Sequence, residues 1–225
     1  MDSLPHRATA SLTGFLILLG GLTFVSAGTI DFWQGWLFWL SFSASVIAIT
    51  IYLLKRDPAL VKRRMAGGPG AESRTSQKII QTINLAMFFG LVAVPGLDHR
   101  FDWSRVPPTL VIVADLIMLA ALGGVLRVVR ENTFAASTIT VEREQRVITT
   151  GPYAYVRHPM YAFALPLLFA IPVALGSWWG LLVAAVSPPM LVARILDEER
   201  VLSTELAGYQ DYRRAVPYRL IPGMW

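Results

Sequence analysis

The sequence predicts an all-α integral membrane protein: four transmembrane helices followed by a C-terminal helical hairpin, five to six membrane segments in all. Three observations predict it. The chain is 54% hydrophobic and only 16% charged, against roughly 25% charged residues in a typical soluble domain. Its apolar residues come in long blocks, several close to the ~20 residues that cross a bilayer. Its basic residues gather in the loops between blocks, the pattern that orients membrane proteins. That placement accounts for the net charge of +5 without nucleic acid as a partner. There is no cysteine, which excludes disulfides, Cys-ligated zinc and a thiol nucleophile. His6, His99 and His158 are widely scattered, so no metal site is expected.

The first apolar block, Ser11 to Ala27, follows a weakly basic start and has no convincing cleavage site, so it reads as a retained span. Its Gly14, Gly20 and Gly21 suit close helix approach. Asp31 lies in a short turn, and Trp33, Trp36, Phe38 and Trp39 mark a membrane–water interface. The second span is Gly35 to Leu54. Lys55 to Lys78 is the most basic loop, broken at Gly67-Gly-Pro-Gly70. It reads as a topogenic cytoplasmic loop, with a phosphate-binding patch as the second reading. The third span is Ile79 to Leu97. The fourth, Thr109 to Val129, carries Asp115, an ionisable residue that reads either as functional or, lying near the membrane surface, as reaching the headgroups, and the small pair Gly123-Gly124.

Arg130 to Val156 is a polar connector. Asn132-Thr-Phe-Ala-Ala-Ser137 suits backbone approach to a ligand, and a short strand or extended loop is expected over Thr138 to Thr150, which includes Glu142, Arg143, Glu144 and Arg146. Two proline-interrupted blocks follow, Met160 to Gly176 and Trp178 to Leu196, with Gly176-Ser177 as the turn of a tight hairpin. Prolines in membrane helices are tolerated where protein or a cavity re-satisfies the backbone. The tail from Asp197 reads as one helix to about Val216, then an extended end on the membrane face. The chain divides into N-terminal transmembrane helices, 1–129, and a functional core, 130–225. With the Lys55–Lys78 loop inside, both termini and the connector are cytoplasmic.

Two charged clusters flank the hairpin: Gly151-Pro-Tyr-Ala-Tyr-Val-Arg-His-Pro-Met-Tyr161 before it and Asp197-Glu-Glu-Arg200 after it. A hairpin returns its ends to one side, so the clusters are expected to meet. Charge at the mouth of a membrane segment is costly and marks function. On a helix, residues four apart share a face, which pairs Arg194 with Glu198 and lets Asp197 reach Arg200 or Val201. Glu199 has no such partner. It is the spare carboxylate, open to Arg157, to His158, or to a ligand ammonium or sulfonium. The bland alternative is a solvated juxtamembrane cluster with Pro159 simply starting a helix.

Gly151-Pro-Tyr-x-x-x-Arg-His-Pro-Met-Tyr161, the hairpin, Glu198-Glu199-x-x-Leu202, Gly208-Tyr-x-x-Tyr212 and Val216-Pro217 together resemble the isoprenylcysteine carboxyl methyltransferase family, within a wider group that includes membrane phospholipid N-methyltransferases. The resemblance covers about Asn132 to Trp225. It implies S-adenosylmethionine as cofactor, bound on the cytoplasmic side, and a lipophilic acceptor, an isoprenoid carboxylate or a lipid amine, entering from the bilayer. Gly151, Tyr153, Arg157, His158, Pro159, Tyr161, Glu198 and Glu199 would form the cofactor site, with Arg157 and Glu199 nearest the chemistry. Arg194, Arg213 and Arg214 would meet the acceptor. Ala215 stands where the prenylcysteine enzymes commonly carry a basic residue, which leaves the acceptor open. The compact, cysteine-free chain has the look of a prokaryotic member in the plasma membrane.

Two rival readings remain. A membrane sterol or enone reductase using NADPH shares Arg-x-Pro-x-Tyr, but would carry a cysteine in an acidic-Arg-Asp-Glu-x-x-Cys pattern where this chain has Asp197-Glu-Glu-Arg-Val-Leu202. A transporter or lipid-binding protein would show matching broken segments in two halves, and no such repeat is visible. A soluble Rossmann-type enzyme is excluded, because no Gly-rich turn follows a strand.

Overall fold

Every described element is helical, as the hydropathy pattern requires. The computed structural model describes residues 3–72, 74–134 and 145–225. α1 (Leu4–Ala27), α2 (Trp33–Arg56), α4 (Thr75–Phe101) and α5 (Pro108–Glu131) are long and apolar enough to cross a membrane. So is the stretch Gly180–Glu205, which makes five such segments and a multi-pass membrane protein. α6 (Pro159–Ala174) is shorter and forms the first arm of the hairpin. α7 (Gly180–Ala184) and α8 (Ser187–Glu205) form the second. The Pro188-Pro189 pair falls in the first turn of α8, where a missing N–H costs nothing. In α6, Pro166 and Pro172 leave the helix continuous.

The core is built where α5 lies along α6, α1 along α4, and α7 against α4. Leu19, Phe38, Leu91, Met118, Ile171 and Leu175 are buried there. Small residues set the spacing, Gly96 of α4 against Ser26 and Ala27 of α1 among them. A Cβ on Gly124 would run into the Phe163 ring, and one on Gly20 into the Trp39 indole. Gly14, Gly21 and Gly123 face open space instead, so the expected close approach belongs to Gly20 and Gly124 alone. Asp115 also departs from expectation. It is buried against α2, where its Oδ1 accepts a hydrogen bond from Ser41 Oγ at 2.7 Å, rather than reaching the headgroups.

The basic loop contains a helix of its own, α3 (Pro58–Met65). Asp57 Oδ1 accepts from Leu60 N at 2.9 Å and caps it. Leu60 and Val61 are buried beside Leu53 and Val129. An N-cap Asp followed by Pro is a helix-start signal, hidden here by the density of charge. The tail is also two helices rather than one. α8 ends at Glu205, Gly208 takes φ +81°, and α9 (Tyr209–Ala215) starts in a new direction. Only glycine holds that left-handed conformation at low cost. Residues 145–149 carry no regular structure. The first part of the expected strand, with Glu142, Arg143 and Glu144, lies outside the described residues, as do Ala135, Ala136 and Ser137 of the small polar string before it.

The hairpin turn is anchored to the end of α4. Asp98, buried, accepts from Ser104 N at 2.7 Å and from Ser104 Oγ at 2.6 Å, and its carboxylate bonds the Ser177 hydroxyl. Ser177 Oγ in turn accepts from Gly180 N at 3.0 Å. With the turn fixed, the start of α6 and the end of α8 return to the same side of the bundle as α3. Two contacts register this side: Arg74 Nη1 to Asp197 Oδ1 at 3.1 Å and Arg194 Nη1 to Glu72 Oε1 at 3.2 Å.

Candidate functional site

The two clusters meet at one buried ion pair. Arg157 Nε donates to Glu199 Oε1 at 2.7 Å, and both side chains are at most 5% exposed. Arg157 Nη1 also donates to the Val216 carbonyl at 2.7 Å. His158 Nε2 lies 3.4 Å from the same carboxylate oxygen. Glu199 Oε2 is taken by Arg219 Nε at 3.0 Å.

Glu199 is therefore not the spare carboxylate that its helix neighbours suggest. Both oxygens are filled by the chain's own cations, which arrive from segments that helical spacing cannot see. Arg219 comes from the tail, which runs back along residues 157–158: Arg157 N donates to the Tyr218 carbonyl and His158 N to the Arg219 carbonyl, each at 2.9 Å. Arg219 also stacks on the Trp225 ring, 5.1 Å from its centroid.

Glu198 has the opposite environment. One oxygen accepts from Tyr161 Oη at 2.7 Å, and the other is 3.9 Å from His158 Nδ1. Its side chain is 26% exposed and lines a cavity of about 1000 Å3. The wall of that cavity also includes Arg64, Asn132, Tyr153, Arg157, His158, Tyr161, Arg194 and Tyr209. Arg194 reaches Glu198 through a relay, because its Nε donates to Tyr161 Oη at 3.0 Å. Its Nη1 bonds Gln77 Oε1 at 2.7 Å and Glu72. Asp197 turns away from Arg200 toward Arg74 and Gln77 Nε2, the latter at 2.6 Å.

The remaining predicted residues are placed as follows. Gly151 opens a 3₁₀ turn, Gly151–Ala154, at φ +58° beside Glu131. Pro159 is the first residue of α6 and is buried. Tyr153 Oη accepts from Asn132 Nδ2 at 2.9 Å, and burial pushes its hydroxyl up to about 12. Tyr212 Oη donates to the Tyr153 carbonyl at 2.7 Å and ties α9 to this turn. Arg213 bonds Ser203 Oγ at 3.2 Å, and Arg214 is exposed and pairs with Asp211 at 3.5 Å. Both stand on α9 apart from the residues named in the cavity wall.

Arg64, Asn84 and Tyr209 also stand in the wall, although the sequence gave them no place among the candidate site residues. Arg64 was absorbed into the topogenic loop. It lies at the cavity with Gly67 and Gly68, where burial pulls its guanidinium down from the ordinary value while Tyr153 and Tyr161 act the other way. Asn84, on the third span, gave no pattern. Tyr209 is buried, and its hydroxyl has no hydrogen-bond partner among the described residues. Burial raises its pKa above the usual range, so it stays a neutral donor and acceptor at the wall. Its signal was the Gly208-Tyr-x-x-Tyr212 spacing.

Among the described residues, no group of three His, Asp or Glu could hold a metal ion. A comparison of the whole chain with curated proteins finds no match. Residues 110–207, which carry α5 to α8 and with them Arg157, His158, Tyr161, Glu198 and Glu199, match the family model for phospholipid methyltransferases, and this part of the chain is similar to that family.

Proposed function

We propose that the protein is an integral membrane methyltransferase that uses S-adenosylmethionine and methylates a lipophilic acceptor at the cytoplasmic face, a member of the isoprenylcysteine branch of prokaryotic type. The observation that carries this reading is the cavity wall itself. It brings together a half-open carboxylate, Glu198, the cationic side chains Arg64 and Arg157 with His158, and a buried hydroxyl without a partner among the described residues, Tyr209 Oη, beside apolar and aromatic side chains. A buried polar atom without a partner costs about 1–3 kcal/mol, a cost that a bound ligand would offset.

The donor set fits the cofactor. Glu198 would take its ammonium, and His158 and Arg64 its carboxylate. Tyr209 Oη would meet a ribose hydroxyl or a ring nitrogen, and Tyr153 would pack on the nucleoside. The bound cofactor would supply a methyl group on a sulfonium, open to in-line displacement. For a transfer of this kind, positioning and exclusion of water carry much of the rate. Glu199, held by Arg157, His158 and Arg219, fixes the Arg157–His158 step and so the wall on which Glu198 and Tyr161 stand. An acceptor with an N–H or O–H gives up one proton as the new bond forms; a carboxylate gives up none. The cytoplasmic placement is supported by α3 and its basic residues lying on the same side as the site.

The test is calorimetric titration of S-adenosylhomocysteine and, separately, NADPH into detergent-purified protein. Saturable binding of S-adenosylhomocysteine with no response to NADPH is expected. Binding of NADPH alone would replace this reading with the reductase one.

A further inference from the structure

The basic loop between α3 and α4 brings an anion to the site. Glu72 follows the 3₁₀ turn Pro69–Ala71 and is buried. Its Oε1 lies 3.2 Å from Arg194 Nη1, with neither side chain more than 8% exposed, and accepts from Gln81 Nε2 at 3.4 Å. Gln77, also buried, joins the same network. Its Oε1 accepts from Arg194 Nη1 at 2.7 Å, and its Nε2 donates to Asp197 Oδ2 at 2.6 Å. Glu72 and Gln77 stand outside residues 110–207, so the family match does not include them. The charges around Glu198 are then matched: Arg157 and Arg219 hold Glu199, Arg74 holds Asp197, and Glu72 holds Arg194. Glu198 instead receives a neutral donor, the Tyr161 hydroxyl, at 2.7 Å.

A guanidinium can only donate hydrogen bonds. Arg194 Nε therefore takes a lone pair of Tyr161 Oη, at 3.0 Å, and the single phenolic proton is directed to Glu198 Oε2. Among the described residues, the other oxygen of Glu198 has His158 Nδ1 nearest in charge, at 3.9 Å and beyond hydrogen-bond reach. We propose that Glu72 is a positioning residue for the bound cofactor. By balancing the charge of Arg194 it keeps that guanidinium on Tyr161, and so leaves Glu198 Oε1 and its negative charge to the ligand's ammonium. A buried cation whose partner is removed seeks another anion. With Glu72 neutralised, the carboxylate next along the relay is Glu198, one hydroxyl away from Arg194. Pairing there would turn Glu198 from the ligand. Arg194 thus acts through Tyr161 on the cofactor side of the site rather than on the methyl acceptor. The identity of the ligand rests on the methyltransferase reading.

The experiment titrates S-adenosylhomocysteine and its deamino analogue, 5′-deoxy-5′-(3-carboxypropylthio)adenosine, into the intact protein in detergent by calorimetry. The two ligands differ only in the ammonium. The wild type is expected to bind S-adenosylhomocysteine about tenfold or more tightly than the analogue. Glu72→Gln should lower the affinity for S-adenosylhomocysteine about fivefold or more, within the range of coupling inside one charged network, while the analogue changes by less than about twofold. Tyr161→Phe, which removes only the hydroxyl of the relay, should give the same selective loss and decides the matter where Glu72→Gln does not fold. Equal weakening of both ligands, the result of a purely structural role, or no change in either, would overturn the proposal. A wild type that binds the two ligands equally would overturn it as well, while leaving the methyltransferase reading in place. A wild type that binds neither would refute that reading and this proposal with it.

Discussion

Replacing Glu199 by leucine would strip the anion from beneath two cations. Arg157 would keep only the Val216 carbonyl, and its guanidinium is 4% exposed. Breaking one side of a buried pair costs about 3–5 kcal/mol, because the remaining charge is left uncompensated. Arg219 adds less, being 24% exposed and able to turn to solvent. Arg157→Met alone should cost a similar amount, since Glu199 would retain only His158 and Arg219. Removing both together leaves no orphan at the centre, so the double variant should lose no more than about 2 kcal/mol, with a coupling of at least about 4 kcal/mol. In a chain of this size each kcal/mol moves the melting midpoint by about 2–4 °C, so each single variant should melt about 6 °C or more below the wild type. The seven tryptophans give the fluorescence signal for melting in detergent. Single variants within about 1 kcal/mol of wild type, or strictly additive effects, would refute the claim that this pair holds the two ends of the hairpin.

Tyr209→Phe should leave stability unchanged or raise it by up to about 1 kcal/mol, since the hydroxyl it removes is unpaired, while weakening S-adenosylhomocysteine several-fold; a lower melting midpoint would show that the hydroxyl is bonded within the protein. Alkaline pH should destabilise the fold through the same tyrosines. Burial holds the Tyr153 hydroxyl at about 12, above the ordinary value near 10, and raises Tyr209 and Tyr212 as well. The folded protein thus binds more protons than the unfolded chain above pH 10. The contribution is complete below pH 10 and is lost as pH rises toward 12. Melting midpoints from pH 8 to 11.5 should fall more gently in Tyr153→Phe than in the wild type.

The span count and the meeting of the two clusters were legible because both follow from block length and from the geometry of a hairpin. What escaped was set by contacts between distant segments. Glu199 has no partner on its own helix, and of the candidates the sequence left open Arg157 and His158 take one oxygen; the cation on the other, Arg219 of the returning tail, gave no signal in spacing. The carboxylate left open to the cavity is its neighbour Glu198. α3 was hidden because seven basic residues in Lys55–Lys78 outweighed a single Asp-Pro cap. Asp115 looked superficial by its position in the span, yet Ser41 on α2 draws it inward. Arg213 and Arg214 were judged by charge alone, and the turn at Gly208 directs their helix elsewhere.

The central claim is that Glu198, not Glu199, meets the cofactor's ammonium. The direct measurement is the dissociation constant of S-adenosylhomocysteine for wild type and Glu198→Gln by calorimetry. The account predicts a loss of at least tenfold, about 1.4 kcal/mol, with the melting midpoint of the unliganded protein little changed. Equal affinity in the two proteins would contradict it.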